Sequence, residues 1–325
     1  MITRAYMRSR FTQVWMLICL ASAGLLFSPA SAVTGENYVA DASNSALSYL
    51  KLPVDARSAG VGGAMAALGS DAAAAVVNPA LVAADTAIGA HLTASYEKLT
   101  LDRNHYFGGL VKPLPFYTSA VGIGYVQYGV DAIERRSEFG MLTGEFADQE
   151  NTFFLWASGG LTEKLLFGIA GKYHMQRLDE SRASGFSGDI GILYHPLERI
   201  KVAASCQNVF GSFGWENGYN DELARVFRFG ASVRPYKELL SVSSDLEWTP
   251  GNFVQGHGGV EVYPHPLFCI RAGAQGPNPV QVMGGVGFRY GMFSVDYAFI
   301  YHNSGLGHSH MFSLGLNLNP REWSL

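Results

Sequence analysis

Three histidines near the C-terminus, His302, His308 and His310, are the residues whose spacing first suggests chemistry. Residues two apart share one face of a strand, so His308 and His310 could offer two metal ligands. A metal site needs a third ligand and an outer shell, so lumen or loop histidines are the plainer reading. Gly60-Val61-Gly62-Gly63 invites a phosphate-loop reading, but Met65 stands where the third glycine of the dinucleotide fingerprint belongs and no strand precedes it. These glycines are read instead as close-packing positions against a neighbouring wall. Asp245 and Glu247 also share a strand face. Burying either alone is expensive, so both are expected to line a lumen and to pair with residues such as Arg228. No serine sits in a nucleophile elbow, no paired metal motif lies on a helix, and no close carboxylate pair stands out. The chain is therefore read as a non-enzyme that needs no cofactor.

The elements that must position these residues begin with a leader. Arg4, Arg8 and Arg10 precede the apolar run from Val14 to Phe27, and Ser28-Pro29-Ala30-Ser31-Ala32 supplies small residues for cleavage. This reads as a Sec-type signal peptide over residues 1–32, cut after Ala32. A retained anchor fits less well, because the run is short for a spanning helix. Cys19 lacks the small residue before it that lipidation requires. Removing the leader takes three arginines and no acid from a chain of 23 basic and 27 acidic residues, so no basic footprint for nucleic acid remains. Cys206 and Cys269 are left, too few for a disulfide scaffold and expected to be free.

The segment Asp55 to Ala84 is almost all Gly and Ala, broken by Arg57, Asp71 and Asn78-Pro79. It holds too few large side chains for a core of its own, so something else must pack it. A short helical patch ends at Pro53, and Asn78-Pro79 reads as a turn, since Pro biases the residue before it away from helix. A buried Ala-rich helix over Met65 to Val77 is equally compatible with this composition. Arg57 and Asp71 are the expected polar anchors of the segment to its surroundings.

From about residue 86 the period becomes two. Leu165, Phe167, Ile169, Tyr173 and Met175 alternate with Gly168, Ala170, Lys172 and His174, and the pattern recurs to Phe312, Leu314, Leu316 and Leu318. This is a strand array. At about ten residues per spanning strand plus connections, it gives about fourteen strands. Val130 to Met141 is the weakest of fifteen candidates and is left out, because an even count places both termini on one side. Short Pro-containing connections such as His195-Pro196 and His265-Pro266 contrast with the stretch Gly211 to Glu222, the asymmetry of outer-membrane barrels. Tyr96, Tyr106, Tyr128, Tyr194, Phe210, Trp248, Tyr263, Tyr290 and Tyr301 lie toward strand ends and are read as interfacial girdles. With 38 glycines in 325 residues, the composition also suits curved, closely packed strands. A secreted sandwich is the competing all-β architecture.

The expected fold is thus all-β: one closed antiparallel transmembrane barrel of about fourteen strands with a Gly/Ala-rich plug in its lumen. Its divisions are the leader 1–32, an N-terminal segment and plug 33–85, the barrel 86–319 and a tail 320–325. The run from Tyr49 through Arg57 and Gly60 to Ala64, continuing through Asp71 to Asn78-Pro79-Ala80-Leu81, resembles the N-terminal signature of the PorV/PorQ family within the FadL-like superfamily. Further matches are Gly122 to Gly129, Gly144-Glu145-Phe146, Gln207-Asn208, and Asp296-Tyr297-Ala298-Phe299 leading to His308-Ser309-His310. The resemblance implies a luminal hatch in which Asn78-Pro79-Ala80 matches the family's Asn-Pro-Ala element, and Arg57, Gly60, Gly62, Gly63 and Asp71 are read as further residues of that hatch. It implies outer-membrane lipid as surroundings and either of two functions. One is a type IX secretion or surface-assembly component, with secretion proteins or secreted cargo as partners. The other is a FadL-like channel for small hydrophobic ligands such as long-chain fatty acids. Leu81 stands where a Gly often follows that Ala, and long extracellular insertions are missing, which weakens a dedicated ligand pocket.

Overall fold

The computed structural model describes residues 46–85, 89–115, 118–236, 239–251, 254–277, 280–302 and 307–318. The expected leader, its cleavage site and the C-terminal tail lie outside the described residues. Fourteen antiparallel strands close into a barrel. They are β1 (Ala90–Lys98), β2 (Arg103–Leu114), β3 (Ser119–Arg136), β4 (Leu142–Thr162), β5 (Leu165–Leu178), β6 (Ser181–Leu197) and β7 (Ile200–Trp215). The second half comprises β8 (Val226–Tyr236), β9 (Leu240–Trp248), β10 (Gln255–His265), β11 (Phe268–Gly276), β12 (Gln281–Tyr290), β13 (Phe293–His302) and β14 (His308–Leu318). Each strand pairs with its sequence neighbours, and β1 closes on β14 in the register Ala94↔Leu314. Closure leaves no sheet edge through the wall, the condition for a strand array in lipid.

Alternation sorts the side chains. On β5, Phe167, Ile169 and Tyr173 point outward while Leu166, Ala170, Lys172 and His174 are buried inside. The apolar face of the period is the outer surface, and the small or polar face is the lumen. Tyr96, Tyr106, Tyr194, Phe210, Trp248, Tyr290 and Tyr301 lie outside as expected. Tyr128 and Tyr263 do not. Tyr128 stacks on Tyr49 of the plug at 5.4 Å, and Tyr263 lines a luminal cavity. Their parity on the strand overrides their place near its end. The same rule corrects the histidines: His308 and His310 lie on the outer face, because Ser309, Met311 and Ser313 take the inner positions. Their rings rest on Tyr301 and Phe299, and the Tyr297 hydroxyl lies 2.8 Å from His310 Nδ1. His302 faces inward and hydrogen-bonds Ser309.

One end of the barrel has short turns, such as Leu197 to Ile200 and His265 to Phe268. The other carries the longer loops, and the Gly211 to Glu222 stretch extends β7 into a hairpin whose return is Asn220–Asp221. Val130 to Met141, the weak candidate strand, is the distal half of the β3–β4 hairpin, set off by a bulge between Val130 and Ile133. Cys206 and Cys269 are both free thiols.

Residues 46–85 occupy the lumen. They form a 3-10 turn at Ser48–Lys51, helix α1 (Ala56–Gly60), helix α2 (Ala72–Val77) and a 3-10 turn at Pro79–Ala83. The Ala-rich helix is therefore six residues long, and Met65 to Ser70 is loop. Both helices start on an Asp cap: the Asp55 side chain accepts from Ser58 N in a capping box, and Asp71 accepts from Ala74 N.

Candidate functional site

The plug and the wall around it form the site. So short a segment cannot satisfy its own backbone, and buried carbonyls need partners. The wall supplies them. Ser158, Ser205 and Ser232 donate through Oγ to the carbonyls of Ala80, Val77 and Ala67 at 3.0, 2.9 and 2.7 Å. Gln207 Nε2 donates to Val76 O at 2.7 Å, Arg228 Nη1 donates to Gly63 O at 3.0 Å, and His257 Nδ1 lies 2.9 Å from Gly62 O. In return, Ala56 N donates to Ser313 Oγ and Ala66 N to Asp245 Oδ2. The small polar residues that the alternation puts inside are thus backbone partners for the plug.

Asn78 is fully buried and joins three segments. Its Nδ2 donates to Ala66 O at 2.9 Å within the plug and to Ile192 O of β6 at 3.2 Å, while its Oδ1 accepts from Ala80 N at 3.0 Å. Pro79 follows in the first position of the 3-10 turn, where a missing N–H costs nothing. The fit needs glycine in the wall: a β-carbon at Gly191 would overlap Asn78 Oδ1. Gly62 has φ +67° and lies against the backbone of Gly258 and Ala274, so it is a close-packing glycine with no loop geometry for phosphate.

The charged contacts are unequal. Arg57 on α1 makes a two-pronged pair with Glu261 of β10, Nε to Oε1 at 2.9 Å and Nη2 to Oε2 at 3.0 Å. Arg271 of β11 donates to the same Glu261 at 3.0 Å and reaches Asp296 of β13 at 2.5 Å. Asp71 contributes from the plug, 3.7 Å from Arg57 Nη1. Arg57 reaches the wall, whereas Asp71 stays within the plug, because its carboxylate is taken by the α2 cap. Arg228 of β8 pairs with Glu247 and lies 3.9 Å from Asp245, both on β9, so the three luminal polar residues form one cluster that meets the plug at Gly63. Burial, then the charge of Asp71, pushes the Asp55 carboxyl up to about 6.

Two spaces flank this partition. A cavity of about 610 Å³ opens at the turn end, lined by Asp55, Arg57, Asp71, Lys201, Tyr263 and Arg289 among others. On the loop side, a cavity of about 20 Å³ is lined by Pro53, Ser58, Gly63, Met65 and Arg228. Asp55 and Ser58, the two ends of one capping box, therefore line opposite spaces.

Sequence reasoning misses Glu261 and Arg271 and assigns Asp296 no pairing role, although each sits on the inward face of its strand. Among the described residues no cluster of three His, Cys, Asp or Glu could hold a metal ion.

A closed antiparallel barrel crossed by its own N-terminal segment is the class that fold and site define. No family model matches the chain, and no curated protein matches it. Solved structures do. The P. putida toluene transporter TodX superimposes with a TM-score of 0.62 at 12% identity, covering 83% of this chain and 99% of that one. A Pseudomonas aeruginosa FadL homologue gives 0.53 at 13%, covering 81% and 98%. The TodX deltaS2S3 mutant monoaromatic hydrocarbon channel gives 0.55 at 11%, covering 80% and 96%. The likeness is one of fold: the chain shares the architecture of FadL-type barrels across most of its length.

Proposed function

We propose that the chain is an outer-membrane barrel that passes small hydrophobic molecules, with residues 46–85 acting as a hatch that is shut in this structure. The observation that carries this reading is the cavity of about 610 Å³ at the turn end, which stops at the plug residues Asp55, Arg57 and Asp71. The apolar outer surface suits lipid, and export with cleavage near Ala32 would deliver the chain to that membrane. The turn end then faces the periplasm and the loop end the exterior. The similarity in fold to a toluene transporter and a monoaromatic hydrocarbon channel supports a hydrophobic solute as cargo.

A second reading has one observation in its favour. The plug is tied to the wall through Arg57, Asn78 and a row of backbone bonds, as a permanently sealed lumen would require. Such a barrel would work through its surface, as a type IX secretion or surface-assembly component whose partners are secretion proteins or cargo. Solute flux separates the two: the protein in liposomes is tested for uptake of toluene or a fluorescent fatty acid. Uptake above that of empty vesicles supports the channel, and a background rate even with the plug loosened supports the sealed barrel.

A further inference from the structure

The β3–β4 hairpin outgrows the barrel. Pairing of β3 with β2 ends at Arg103↔Val130, and pairing of β4 with β5 ends at Asp148↔Leu178. Beyond those points, among the described residues, the two strands pair only with each other, through Ile133↔Phe146, Glu134↔Glu145, Arg135↔Gly144 and Arg136↔Leu142. At about 3.3 Å per residue this ribbon extends roughly 20 Å past the last β2–β3 pair. Its tip exposes Phe139 at 86%, Met141 at 64% and Leu142 at 59%.

The two faces differ. One is finished: Arg135 lies 5.9 Å over the Phe146 ring and pairs with Asp179 of the β5–β6 turn, which fixes the ribbon against the barrel. The other places Glu134 directly opposite Glu145. Like charges facing each other across a ladder destabilise it. Glu134 takes Arg136, and Glu145 has no ion-pair partner among the described residues. On the β5 side the base of the ribbon is covered, since Asp179 N donates to Ala147 O. Among the described residues, the β3 edge from Ala132 to Arg136 faces no strand.

We propose that this ribbon is a docking arm for an extended segment of another protein. The segment adds as a strand to the Ala132–Arg136 edge, sets a basic residue against Glu134 and Glu145, and covers the apolar tip. Charge complementarity selects this occupant: the arm carries Asp131, Glu134, Glu138, Glu145 and Asp148 against Arg135 and Arg136. A free edge supplies main-chain affinity, and alternate side chains supply the selection. The proposal holds whether or not the lumen conducts.

The test uses the full-length protein in nanodiscs of zwitterionic lipid. The probe is a fluorescein-labelled ten-residue peptide of alternating Lys and Val. Its controls are the Glu/Val counterpart and a Lys/Val peptide N-methylated at alternate residues, which keeps charge but cannot pair as a strand. The expected result is at least tenfold tighter binding of the Lys/Val peptide than of either control. Amide exchange should slow at residues 132–136, and the tenfold preference should be lost in Glu134→Lys/Glu145→Lys. Heat-modifiable migration confirms that this variant still folds as a barrel. The proposal is overturned by no binding, by equal binding of the N-methylated peptide, by binding that the double substitution leaves unchanged, or by pairing of two copies through the ribbon in the absence of peptide.

Discussion

The Arg57 guanidinium of the plug holds both oxygens of Glu261 in the wall, at 2.9 and 3.0 Å. Both side chains are largely out of solvent, at 13% and 2% exposure, and they form a charged tie between hatch and barrel. Removing one partner of a buried pair costs about 3–5 kcal/mol, because the other is left uncompensated. Arg271 remains to hold Glu261, so Arg57→Ala should fall at the lower end of that range. Amides of residues 56–60 should exchange faster in Arg57→Ala, while heat-modifiable migration, a property of the barrel, stays unchanged. Unaltered protection of α1 would remove Arg57 from this role.

Asn78 makes a second prediction. Asn78→Ala removes two donations and one acceptance inside a dry site, and each unsatisfied partner costs about 1–3 kcal/mol. Gly191→Ala should displace the hatch by overlap with Asn78. Combining Gly191→Ala with Asn78→Gly relieves that overlap, so the double variant should be more resistant to limited proteolysis of the plug than Gly191→Ala alone. Additive damage would show that the two residues do not meet.

Asp55 gives the docked plug a pH dependence of definite sign. Its folded value of about 6 lies above the ordinary 3.8, through burial first and the Asp71 charge second. The docked state therefore holds the proton more tightly than the released state. This contribution is complete below about pH 4 and is lost as pH rises through 6, at roughly 1.4 kcal/mol for each tenfold difference in proton affinity between the two states. Exchange of plug amides, corrected for intrinsic rates, should be faster at pH 7.5 than at pH 5. Asp55→Asn should flatten that difference, and an equal slope in the variant would assign it to another group.

Much of this molecule is legible in its sequence, and the reason is the period of two. Leu165 to Gln176 alternates cleanly because one face meets an apolar exterior and the other a packed lumen. The Gly/Ala run from Asp55 to Ala84 is legible as a plug because it cannot make a core alone. The direction of particular side chains is harder to read. Tyr128 and Tyr263 look like girdle residues by position but face inward by parity, and His308 and His310 do the reverse. The inner face of β14 carries Met311, which touches the Ala56 and Ala59 cluster, so polarity there does not mark the lumen. Glu261, Arg271 and Asp296 come from three strands, and only the closed register brings them to Arg57. The distal half of the β3–β4 ribbon is legible only as a weak strand, since it has no neighbours to impose alternation.

The most direct test of the central claim is uptake of toluene into liposomes carrying the full-length protein, compared with Glu261→Gln, in which the charged tie to Arg57 is weakened. The hatch account predicts uptake above that of empty vesicles for the wild type and a severalfold faster rate for Glu261→Gln. Background rates for both proteins, with the variant's plug amides shown by exchange to be loosened, would contradict it.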